Sequence, residues 1–203
     1  MRVLGIDCGT EYTGYGIVDL LCDDGRMNAS LLSSPRPVGS SAGSSGHANS
    51  GSGSDRLVCV TCGAIRVSPR DAMPVRLSRI ARGLEELIAL HHPDRVALED
   101  VFYAVNVKSA LKLGQVRGVA MLTAATAGLD VAEYSPLSIK SAVVGYGRAE
   151  KHQVQQMVAR LLQLEEIPEP PDAADALAIA ICHLHTAATL ELQNAGLARR
   201  AAR

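Results

Sequence analysis

The sequence predicts an α/β domain: one mixed five-stranded sheet, its first three strands antiparallel, flanked by helices. Three observations carry this. The β-prone stretches near the amino end follow one another with no helical stretch between them, as in a meander. From about residue 71, helical periodicity alternates with short apolar strands, the pattern of parallel additions to a sheet. The last long helix is almost wholly apolar for ten residues after its first acids, so it belongs in the interior.

Val3, Leu4 and Ile6, with the small Gly5, form a buried strand that ends on the carboxylate of Asp7. Gly9 then starts a turn segment running to Gly14 and Gly16, and Tyr15–Leu20 is the second strand. Residues 28–55 are Ser/Gly-rich and bury too little apolar surface to offset their ordering entropy. They are expected to be a disordered loop inserted in the domain. Leu57–Val67 is the third strand. Ser68-Pro69 breaks it, and Leu77, Ile80, Leu84, Leu87 and Ile88 give Asp71–Leu90 one apolar helical face. His91-His92-Pro93 ends that helix, where the dipole favours histidine.

Arg95–Glu99 is the fourth strand and again finishes on a carboxylate. A long helix over Asn106–Ala127 and a fifth strand over Leu129–Tyr134 follow, and Pro136 opens another helical turn. Val154, Met157, Val158, Leu161 and Leu162 make Glu150–Leu164 an amphipathic helix. Pro168, Pro170 and Pro171 lead into the last helix, from about Asp172 to Leu190. The domain is thus expected over residues 1–190, with a flexible basic tail over 191–203.

An apolar fraction of 47% supports a folded core, and a formal net charge of −1 gives no global basic field. Charge is local instead: Val101–Leu129 holds no acid, yet carries Lys108, Lys112 and Arg117, a face suited to a polyanion or simply to solvent. No 18-residue apolar run exists to span a membrane. Five cysteines, an odd number without dense spacing or a signal peptide before them, point to a reducing cytoplasm. Cys59 and Cys62 form a C-x-x-C, but strand alternation would turn residues three apart to opposite faces, leaving buried thiols. Cys182, His183 and His185 lie one and two apart on a helix, spacings that do not share a face.

The chemistry lies in carboxylates. Asp7 and Glu99 end strands that would stand side by side if those strands are parallel neighbours, where open sheets place ligands. Asp172 and Asp175, three apart, share a face in the first turn of the buried helix. Acids are also favoured there as caps and dipole partners. Four acids facing one another need cations. An all-oxygen donor set suits Mg²⁺ or Mn²⁺, and two such ions about 4 Å apart bind the attacking and departing oxygens of a displacement at phosphorus. The chemistry is then phosphodiester hydrolysis.

The segments RVLGIDCGTEYTGYGIVD, ALEDVFYAVNVKSALKLGQVRGVA, VVGYGRAEKHQVQQMV and PDAADALAIAICHLH together resemble the RuvC family of bacterial Holliday-junction resolvases. The resemblance implies a ribonuclease H-like fold and a homodimer that nicks opposed strands of four-way junction DNA symmetrically with Mg²⁺. It also implies a branch-migration helicase partner. Carried over by motif, the catalytic and metal-binding carboxylates are Asp7, Glu99, Asp172 and Asp175, with Lys151 as a catalytic cation. Phe102 matches an aromatic used against a base near the junction centre, and Lys140 a lysine implicated in catalysis or DNA contact. Lys108, Lys112 and Arg117 are further candidates for backbone contacts. Cys8 departs from the family's usual Pro in D-P-G, which predicts looser loop geometry without loss of activity.

Competing readings are a phosphotransferase of the sugar-kinase and actin superfamily, which shares the G-I-D-C-G-T opening, a silent junction-binding scaffold, and a related nuclease acting on RNA. The first needs two such domains and a longer chain. The second would be free to lose its carboxylates.

Overall fold

The computed structural model describes residues 1–21, 55–100 and 107–201. The inserted loop expected over 28–55 therefore lies outside the described residues except for Asp55. The elements run β1 (Arg2–Asp7), β2 (Tyr12–Leu21), β3 (Arg56–Arg66), α1 (Met73–His91), β4 (Arg95–Glu99), α2 (Val107–Thr126), β5 (Asp130–Tyr134), α3 (Pro136–Val144), α4 (Lys151–Leu161) and α5 (Pro171–Ala201). One five-stranded sheet has the order β3-β2-β1-β4-β5. β1–β2 and β2–β3 are antiparallel, whereas β1–β4 and β4–β5 are parallel. This is the mixed sheet the strand order predicts.

Strand alternation splits the core into two layers. Val3, Val18 and Ala97 face α3, α4 and α5, packing with Ile139, Val154, Leu177 and Ile181. Leu4, Ile6, Ile17, Val96 and Leu98 face α1 and α2, packing with Ile80, Leu84, Val116 and Ala120. α5 lies on the sheet with almost no side chain in between. A Cβ on Gly5 would stand 2.1 Å from the Ala176 carbonyl oxygen, and one on Gly14 2.1 Å from that of Asp172. Only glycine in the strands, against a run of alanines on the helix, permits so close an approach.

Some boundaries differ from expectation for identifiable reasons. β2 starts at Tyr12 rather than Tyr15, because Gly14 pairs with Asp7 and Tyr12 with Arg66. α1 starts at Met73, with Pro74 in its first turn; Ser68–Asp71 is a turn closed by Asp71 N donating to Ser68 O at 3.1 Å. α4 stops at Leu161, before Gln163 adopts a φ of 54°. α5 continues to Ala201, past the expected end near Leu190, so the expected tail is largely helical backbone.

The opposite-face expectation for Cys59 and Cys62 fails. Ile17 pairs with Thr61 and Val18 with Cys59, so Val60 is an extra residue, a β-bulge. The bulge resets the alternation. Cys59 and Cys62 both pack toward the α5 layer while Val60 points to the other.

Candidate active site

The site is built where β1, β4 and α5 meet. β1 and β4 pair in parallel with Ile6 opposite Leu98, which brings Asp7 and Glu99 to adjacent strand ends. The close seat of α5 on Gly14 then sets its first turn, with Asp172 and Asp175, against the end of β1. All four carboxylates act on one another electrostatically across this corner.

Two short helices supply the cations. α3 is capped by Ser135, whose Oγ accepts from Ser138 N at 3.1 Å, and presents Lys140. Lys151 is the first residue of α4, behind a reciprocal Glu150–Gln153 cap. Lys151 Nζ donates to Asp175 Oδ2 at 2.6 Å. Glu99, Lys140, Lys151 and Asp175 line one cleft of about 310 Å³, floored by Ile139 and Ile179.

Charge crowding is visible in the protonation equilibria. Asp7 is pushed up to about 7, first by burial and then by Asp175, Glu99 and Asp172, with Lys151 opposing. Burial and Asp175 also raise Glu99, while Lys140, Lys151 and Arg117 pull it back. The Asp175 hydrogen bond raises Lys151. Negative charge thus exceeds what the nearby cations neutralise, the condition a bound cation relieves.

Arg117 does something other than its expected outward contact. Its guanidinium is largely buried and donates to the Glu99 carbonyl oxygen and to Glu133, with Asp100 Oδ1 at 3.5 Å. It braces the strand end that carries Glu99. Asp100 N in turn donates to Tyr134 O at 2.7 Å, and Tyr134 Oη meets His183 Nδ1 at 2.9 Å, tying β5 to α5. Sequence reasoning missed both supports. Lys108 and Lys112 are exposed on α2, away from the carboxylates' contacts. Phe102 lies outside the described residues. His183 and His185 take separate partners, Tyr134 and the Ala142 carbonyl.

Residues 39–183 match the sequence profile of the family described as crossover junction endodeoxyribonuclease RuvC. The chain belongs to the RuvC family. The crossover junction endodeoxyribonuclease RuvC of Koribacter versatilis is 54% identical over 96% of this chain and 99% of its own. That of Acidobacterium capsulatum is 53% identical over 95% and 98%. The structure of Thermus thermophilus RuvC superposes with a TM-score of 0.72 at 29% identity, covering 93% of this chain and 96% of that one. T. thermophilus RuvC in complex with Holliday junction substrate gives 0.71 at 26% identity over the same shares. The RuvC fold is the ribonuclease H-like fold expected from the motifs.

The donor set of this RuvC-family site fits a hard divalent cation. It offers carboxylate oxygens without sulfur or imidazole, and its buried Asp7 lacks a neutralising partner of its own. Among the described residues, no three His, Cys, Asp or Glu side chains already converge as a metal-holding group. The Lys151–Asp175 pair holds one of the four acids to the side.

Proposed function

We propose that this chain is a structure-selective endonuclease that resolves four-way DNA junctions by paired, Mg²⁺-dependent hydrolysis of opposed strands, in recombination and repair. The observation that carries this reading is the meeting of Asp7 and Glu99 with the α5 acids, beside Lys140 and Lys151, in one corner of a RuvC-family fold. Asp7, Glu99, Asp172 and Asp175 would hold two Mg²⁺ ions, with Mn²⁺ as a substitute. The bound ions supply activation of the attacking water and stabilisation of the departing 3′ oxygen.

The chain's own residues orient and neutralise. Asp7 and Glu99 sit on strand ends, so their carboxylates are fixed by the sheet rather than by a loop. Lys151 stands 2.6 Å from Asp175, within reach of negative charge developing on the phosphate. Lys140, across the cleft, steers the phosphodiester toward the acids. Lys108 and Lys112 would grip the backbone without reading sequence. Phe102, three residues beyond Glu99, would stack on a base splayed at the junction centre.

The active unit is a homodimer, because two opposed strands need two sites. The exposed Leu111 (66%) and Leu122 (67%) on α2, beside a groove lined by Leu77, Ile88 and Val119, support α2 as its interface. Branch-migration helicases are the implied partners, and the cytoplasm is the compartment. No helix among the described residues is long and apolar enough to cross a membrane.

The test is cleavage of a synthetic four-way junction, with linear duplex and an RNA–DNA hybrid as controls, with and without Mg²⁺. Paired nicks in opposed strands of the junction, only with metal, are expected. Binding without nicks would make the protein a scaffold, and preference for the hybrid would make it a ribonuclease.

A further inference from the structure

We propose that Cys59 and Cys62 form a second metal site, a two-thiolate chelate for a soft, thiophilic cation. Four observations carry it. The bulge at Val60 places both side chains on one face of β3, where regular alternation would separate them. Their thiols hydrogen-bond to each other. Both are free and half-buried. β3 is an outer strand of the sheet, so one side of the pair lies open to incoming ligands.

The geometry suits chelation without rearrangement. Two sulfurs bound at about 2.3 Å to one tetrahedral ion stand about 3.8 Å apart, the spacing of thiols in hydrogen-bond contact. The contact also prepares the chemistry: the Cys59 S–H stabilises the Cys62 thiolate and lowers Cys62 to about 7, while Cys59 is pushed up. Near neutral pH the Cys62 thiolate is the first ligand, and binding displaces the Cys59 proton to solvent. Water or a free thiol fills the remaining positions. Soft donors separate this site from the all-oxygen corner, from which β3 is divided by β2.

The test uses the reduced full-length chain with saturating Mg²⁺, titrated with Cd²⁺ and followed by the ultraviolet sulfur-to-cadmium charge-transfer band, to which carboxylates contribute nothing. One equivalent should bind, the band should vanish in Cys59→Ser and in Cys62→Ser, and it should persist in Cys22→Ser and Cys182→Ser. Independently of any variant, bound Cd²⁺ should protect Cys59 and Cys62 together from alkylation in wild-type protein, read by peptide mapping. An unchanged band in either single variant overturns the site, as does protection of only one of the two thiols.

Discussion

Gly5 and Ala176 touch backbone to backbone: a methyl group on Gly5 would lie 2.1 Å from the Ala176 carbonyl oxygen and 2.8 Å from Ala180 N. Neither neighbour is a side chain that can turn away. Gly5→Ala must therefore lift α5 from the sheet, at a cost of about 1–3 kcal/mol or more. Urea denaturation should show the loss. Cleavage should fall further than stability alone explains, because the same helix carries Asp172 and Asp175. A variant as stable as wild type would mean the helix seat is loose.

Asp7 links stability to pH in a determined direction. Its folded value of about 7 exceeds the ~3.9 of an unfolded carboxylate, so the native state binds the extra proton between them. Without divalent metal, stability should fall as pH rises from about 4 to 7, by at most about 4 kcal/mol from this group. Asp7→Asn should flatten that slope and raise the melting temperature at pH 8 while abolishing cleavage. Junction binding should survive, since little contact surface is removed. Equal pH slopes for the two proteins, measured by thermal melts in chelator, would contradict this.

Lys151 separates catalysis from stability. Its side chain is 61% exposed, so its ion pair with Asp175 contributes at most about 1 kcal/mol. Lys151→Met should shift the melting temperature little, yet slow single-turnover cleavage by about 10²-fold or more, as loss of a positioned charge does. Parallel loss of both would reduce the residue to a structural role.

Arg117 divides two roles cleanly. As a brace for Glu99, its replacement by Met leaves Glu133 and the Glu99 carbonyl without their donor and should cost about 3 kcal/mol. As a phosphate contact, it would instead reduce the salt dependence of junction binding by about one charge. The buried geometry predicts the first, with an unchanged salt slope. Junction affinity measured across salt concentrations decides.

What was legible in the sequence is what local pattern encodes. Strands ending on Asp7 and Glu99, and acids three apart on an apolar helix, fix their own positions once the strand order is known. Arg117 was misread because charge counting registers sign, not reach; its side chain turns inward to a carbonyl eighteen residues earlier in the chain. Cys59 and Cys62 were misread because a single extra residue inverts every later side chain, and no composition marks the bulge at Val60. The supporting pair Tyr134–His183 joins residues 49 positions apart, a contact no periodicity announces.

The two ends of β1 have unlike fates. Asp7 pairs with Gly14 at one end, while at the other Arg2 pairs with Asp19, near the Leu21–Arg56 pair that brackets residues 22–54. Length at that pole is cheap, since doubling a loop costs only about 0.6 kcal/mol, and the four acids sit at the opposite pole. The enzyme thus has a handle and a blade: a fluorescent domain or affinity tag spliced between Leu21 and Arg56 should report on the protein while leaving its cutting edge untouched.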